Sequence, residues 1–167
     1  MRLLVASAIL ALGLGAAAAP LDLGQIDGVY KHRFADALVS GEHYTGEDIL
    51  EIVKVSPRAA YIRTHLDFYN GHICALNGIA LVEGDSLIYR EPPGTAGAGQ
   101  CRLRIQVTRD KLVFDDGDRS CQDYCGMRGA FNGTGFAREA RRPIRYMPRL
   151  MNSTEYKSAM AAFDPKR

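Results

Sequence analysis

From position 28 to position 114 apolar and polar residues alternate in short runs, with the period of two that a half-buried β-strand requires. The clearest run is Ala60 to Tyr69. Ala60, Ile62, Thr64, Leu66 and Phe68 share one face, and Tyr61, Arg63, His65, Asp67 and Tyr69 share the other. Asn70-Gly71 follows and predicts a two-residue type I′ hairpin, because that turn needs positive φ at both central residues. The return strand is His72 to Val82, which sets Tyr69 opposite His72 and His65 opposite Leu76. Gly28 to Phe34 reads as a first strand, with Tyr30, His32 and Phe34 on one side. Ala35 to Gly46 is ambiguous, with Gly41 and Gly46 marking turns. Asp48 to Val55 also fits a short helix, but its β-branched content and its stop at Ser56-Pro57 favour a strand.

Further along, Ser86 to Arg90, Gln100 to Thr108 and Lys111 to Asp115 are three more strands. They are separated by turns and by the Gly-Pro-rich stretch from 92 to 99. Cys101, Leu103, Ile105 and Val107 face inward in the second of these. Gly129 to Phe136 closes the set as a last strand, although it holds three glycines. Arg138 to Arg149 is not strand-like, and Pro143 and Pro148 break regular structure there. Asn152-Ser-Thr-Glu155 is a capping box. Tyr156, Ala159, Met160 and Phe163 then form one apolar stripe, so a helix over about 152–163 is expected to pack on the sheet. The fold class is mainly β: an antiparallel barrel or sandwich of about eight short strands with a C-terminal α-helix. Closure into a barrel also removes exposed edges.

The first nineteen residues lie outside this pattern. Arg2, the apolar run Leu3 to Gly15 and the small residues Ala16 to Ala19 have the form of a cleavable signal peptide. The expectation is therefore a 1–19 leader and a single exported domain over 20–167, periplasmic or secreted, without a transmembrane segment after cleavage. Export changes the meaning of the four cysteines. Cys74, Cys101, Cys121 and Cys125 are an even set in an oxidising compartment, and two disulfides follow. A zinc site would prefer paired Cys-x-x-Cys knuckles, and the chain has a single Cys-x-x-x-Cys. Three connectivities are possible. Cys74 and Cys101 both begin strands at one end of the sheet, and Lys111 to Asp115 runs back toward that end carrying Cys121 and Cys125. This layout favours Cys101–Cys121 with Cys74–Cys125. A bridge between Cys121 and Cys125 would close only a local turn.

The net charge of +2 conceals an uneven distribution. From Arg128 onward nine Lys and Arg stand against Glu139, Glu155 and Asp164, whereas the region before it is acidic. Arg141, Arg142, Arg145 and Arg149 are the candidate anion-binding residues, since guanidinium forks suit carboxylates and phosphates. The competing reading is a clasp that pins the tail to the acidic part of the fold. No nucleophile elbow, zinc-protease motif or P-loop is present, and no cofactor or metal is expected. Asp115-Asp116-Gly117-Asp118 lacks the spacing of a calcium loop. His32, His43, His65 and His72 show no pairing pattern. The chain has no Trp to act as a sugar platform.

Five segments together carry a resemblance: Asn70-Gly-His-Ile-Cys74, Asn77-Gly-Ile-Ala80, Gly84-Asp-Ser-Leu-Ile-Tyr89, Cys101-Arg-Leu-Arg-Ile105 and Cys121-x-x-x-Cys-Gly-x-Arg-Gly129. In these the chain resembles small exported bacterial proteins of unknown function, whose barrel-like domain is similar to those accompanying LprI-type lysozyme-inhibitor regions. The resemblance implies an envelope protein acting as a binder or inhibitor. The expected function is a non-catalytic binding or inhibitor-like module for an anionic partner, an envelope polymer or an acidic protein surface, and not nucleic acid. The alternatives are a hydrolytic enzyme with a site at the barrel mouth near His32 or His65, and a structural envelope protein without a small ligand.

Overall fold

The alternation is realised as one antiparallel sheet in a computed structural model that describes residues 21–93 and 100–163. The leader expected over 1–19 and the Gly-rich stretch 94–99 fall outside the described residues. The strands are β1 (Gly28–Ala37), β2 (His43–Ser56), β3 (Ala59–Phe68), β4 (His72–Glu83), β5 (Ser86–Arg90), β6 (Arg102–Val107), β7 (Lys111–Asp115) and β8 (Gly135–Ala137). Each pairs with the next in chain order. The sheet curls until β8 returns beside β1. The result is a nearly closed barrel, and not two stacked sheets.

Closure is completed by the chain after β8. Val29 of β1 and Arg142 exchange both backbone hydrogen bonds at 2.8 Å, so a strap pairs with the start of the β1 edge. Inside, Tyr30 and Phe136 approach to 6.4 Å between ring centres, and Phe114 meets both Phe131 and Phe136 edge-on. Leu23 and Ile26 plug one end, and the Tyr30 hydroxyl donates to the Ile26 carbonyl at 2.8 Å.

Inward residues come from the even positions of β1 to β4. Gly78 is among them because the ring of Tyr89 lies against its backbone. A Cβ built there would stand 2.3 Å from the ring. Gly78→Ala is therefore expected to destabilise the barrel by about 1–3 kcal/mol through overpacking. A melting temperature equal to that of the parent protein would contradict this.

Several sequence expectations need correction. The turn after β3 holds three residues, Tyr69 to Gly71, with Asn70 and Gly71 both at positive φ. The register therefore slips by one: Phe68 faces His72, and His65 faces Ala75. The ambiguous stretch before β2 becomes a long hairpin, and β2 runs from His43 instead of Asp48. The last strand shrinks to three residues because Asn132 and Gly133 form a turn just before it. Pro148 starts a helix instead of breaking one: it occupies the first turn of α1 (Met147–Met151), where the missing N–H costs no bond. The cap of α2 (Thr154–Ala162) is Ser153, whose Oγ accepts from the Tyr156 N–H, and not Asn152. No helix among the described residues is long and apolar enough to cross a membrane.

Both disulfides pair as favoured: Cys74–Cys125 and Cys101–Cys121, with no free cysteine among the described residues. They fix the Asp116 to Gly129 segment onto the barrel. Asp116 organises that segment from within, accepting the Cys121 N–H through Oδ2 at 3.2 Å. Gly129 lies so close to Cys74 that a Cβ would stand 2.7 Å from Sγ.

Candidate binding groove

Odd-numbered residues of β1 to β4 point outward, and the C-terminal segment packs on part of this face. Val29, Val53, Tyr61, Ile144 and Leu150 form a second apolar cluster there, joined by Tyr156 and Ala159 of α2. Tyr61 and Tyr156 meet edge-on at 4.9 Å. Where this packing ends, a groove of about 480 Å³ remains between the bare sheet and the tail.

At the base of the groove is Glu51, an acid inside the apolar run of β2. It is 2% exposed. Arg63 stands opposite it on β3 and holds both carboxylate oxygens, with Nη2 to Oε1 at 2.8 Å and Nε to Oε2 shorter still. The Tyr146 hydroxyl donates to the same carboxylate. Burial and this donated bond push the Tyr146 phenol up to about 12, and the carboxylate raises the Arg63 guanidinium. The Arg149 guanidinium sits 5.4 Å over the Tyr146 ring, within cation–π range. Lys31, His65 and Glu155 complete the polar lining.

The four candidate arginines do not form one surface. Arg141 donates to the Gln25 carbonyl at 2.8 Å and approaches Asp27 at 3.4 Å. Arg142 donates to the carbonyls of Glu139 and Arg141. Both belong to the strap, but only Arg141 reaches an acid outside it, Asp27, whereas the Arg142 side chain bonds carbonyls of its own segment. Arg145 and Arg149 are exposed, and neither makes an ion pair among the described residues. Only Arg149 reaches the groove, where it joins Lys31 and Arg63.

Sequence reasoning missed Glu51, Arg63, Lys31 and Tyr146 as a unit. One signal was available: a lone acid in Ile-Leu-Glu-Ile-Val needs a buried partner. Tyr146→Phe is expected to cost about 1.5–3 kcal/mol, the range for a hydrogen bond to a charged group. Urea unfolding would measure it, and a loss below about 0.5 kcal/mol would refute the tether.

The histidines do not converge. His32 stands on the inward-facing side of β1, 3.7 Å from Asp48, whereas His65 is on the outer face, 2.9 Å from Asp67. Asp48 and Asp67 replace ladder bonds where β2 and β3 part: Asp48 accepts the Asp67 N–H at 2.9 Å, and Asp67 accepts the Glu47 N–H at 2.8 Å. Desolvation raises the Asp48 carboxyl. Both carboxylates are committed to the backbone.

Tyr30 and Tyr61 share the upward shift of Tyr146, each to about 12 and each mainly through desolvation. The fold holds these phenols neutral while the unfolded chain ionises near pH 10. Their contribution to stability is complete below about pH 10 and is lost as the pH climbs toward 12. Urea midpoints should therefore fall between about pH 9.5 and pH 11.5, and a flat profile would contradict this.

No family model, curated protein or solved structure matches the chain.

Proposed function

We propose that the chain is an exported, non-catalytic binding module that takes an anionic envelope polymer on its outer face. The carrying observation is the groove beneath the tail, where Arg149, without an ion pair among the described residues, stands over the Tyr146 ring; the other two basic side chains of the lining, Lys31 and Arg63, are held by Glu47 and Glu51. Arg145 is the other exposed arginine of the tail without an ion pair among the described residues, and it lies outside the groove lining. The signal-like leader and the two disulfides support export. The resemblance to small envelope proteins supports a binding or inhibitor-like role.

The test uses dextran sulfate as the anionic polymer and neutral dextran as its control. Binding should be confined to the sulfated polymer and should weaken with salt. The double change Arg145→Ala/Arg149→Ala should cost no more than about 1 kcal/mol, the exposed Arg149–Tyr146 cation–π contact included, and should weaken binding several-fold. Equal affinity for the two dextrans, or unchanged affinity of the double variant, would overturn the proposal.

A further inference from the structure

The second groove, of about 610 Å³, lies on the other side of α2 along β4. β4 outruns its neighbour. The rungs to β5 begin at Ala80, opposite Tyr89. The next partner on that edge is Cys125, bridged to Cys74. Ala75 to Ile79 lie between them.

The direction of their backbone groups follows from two bonds. The Ile73 carbonyl accepts from the Gly126 N–H on this edge at 2.9 Å, whereas the Val82 N–H turns the other way, to the Arg58 carbonyl at 2.9 Å. Odd residues of β4 therefore aim their N–H and C=O groups at the gap. Among the described residues, no strand stands across from Asn77. An open run of alternating donors and acceptors is the surface to which an extended chain adds as a further strand.

The walls define the side chains such a strand would carry. Tyr89 and Tyr124 line the inner side, and Ala159, Ala162 and Phe163 line the outer side. The two charged residues of the lining are already used. Arg90 is held by Glu83 at 2.5 and 3.1 Å. Glu91 accepts from the Tyr124 hydroxyl at 2.7 Å and from the Cys101 N–H at 3.2 Å. A charged side chain would meet apolar walls and no free counter-charge.

We propose that this gap receives an extended peptide segment with uncharged, apolar side chains, added as a strand to the edge of β4. The site is separate from the anion groove, and its test does not depend on that reading.

Amide hydrogen exchange on the full oxidised protein tests it, with a blocked peptide of alternating valine and threonine as probe. In the free protein the Asn77 and Ile79 amides should exchange at least about ten-fold faster than those of Leu76 and Gly78, which point to β3. The peptide should slow the first pair by about ten-fold, and the same peptide methylated at every amide nitrogen should bind at least about ten-fold more weakly. The proposal fails if Asn77 is already protected in the free protein, or if the probe at about 1 mM leaves both amides unchanged. Equal binding of the methylated peptide would also sink it, as would stronger binding when glutamate replaces threonine. Protection that rises with protein concentration alone would replace the peptide by a second copy of the chain.

Discussion

Arg63→Ala is expected to destabilise the barrel by about 3–5 kcal/mol, the cost of leaving a buried charge without its partner. Glu51 is 2% exposed, and the guanidinium occupies both of its oxygens. After truncation the carboxylate keeps one neutral donor, Tyr146. The triple variant Glu51→Leu/Arg63→Met/Tyr146→Phe, which removes the hydroxyl donor together with the pair, should recover most of the loss, since replacing a buried pair by apolar residues of similar volume is often neutral or stabilising. Urea midpoints of the parent, the single and the triple variant measure both steps. A single-variant loss under about 1 kcal/mol would mean that water reaches Glu51 freely, and the groove base would then be misassigned.

The disulfides should rank by the loops they close. Cys74–Cys125 spans 51 residues and Cys101–Cys121 spans 20. On the chain-entropy account their removal costs about 4 and about 3 kcal/mol respectively. Cys74→Ala/Cys125→Ala should therefore be the more damaging pair. It should also loosen the segment that bounds the open edge of β4, because Cys125 is the last partner before the gap. Non-reducing unfolding of the two double variants decides the order. A larger loss at Cys101–Cys121 would contradict it and would place the main restraint at the Asp116 turn.

Strands were legible wherever one face was buried and the other wet. Ala59–Phe68 and Lys111–Asp115 were readable within a residue of their ends for this reason. Strand direction favoured the observed disulfide pairing by bringing the four cysteines to one end of the sheet, and left the choice among them to the structure. The one-residue slip after β3 had a local cause: Asn70-Gly71 supplies the positive φ angles of a tight turn, but Tyr69 joins them. Matching inward even positions on both strands requires the three-residue loop. That signal was blurred because β4 carries apolar residues on both faces, Ile73, Ile79 and Leu81 as well as Cys74, Leu76, Ala80 and Val82. Pro148 misled because proline breaks a helix in its interior and starts one at its first turn. The groove was less accessible still. Arg63 and Glu51 are twelve positions apart on separate strands, and Tyr146 reaches them only because the tail folds back over the outer face. Of the four arginines singled out, position in the sequence could not separate the two whose side chains bond within the fold, Arg141 and Arg142, from Arg145 and Arg149, which make no ion pair among the described residues.

The strap on β1 also sets an order of events in time. Val29 is among the first residues of the domain to be made, and Arg142, which completes its pairing, is among the last. A chain crossing a membrane from its N-terminus would therefore hold the β1 edge open until almost the whole domain has emerged. Through that interval the uncovered edge is where a neighbouring chain would be misjoined. A protein arrested just short of Arg142 would have its sheet and both disulfide pairs within reach, and would lack the piece that seals it.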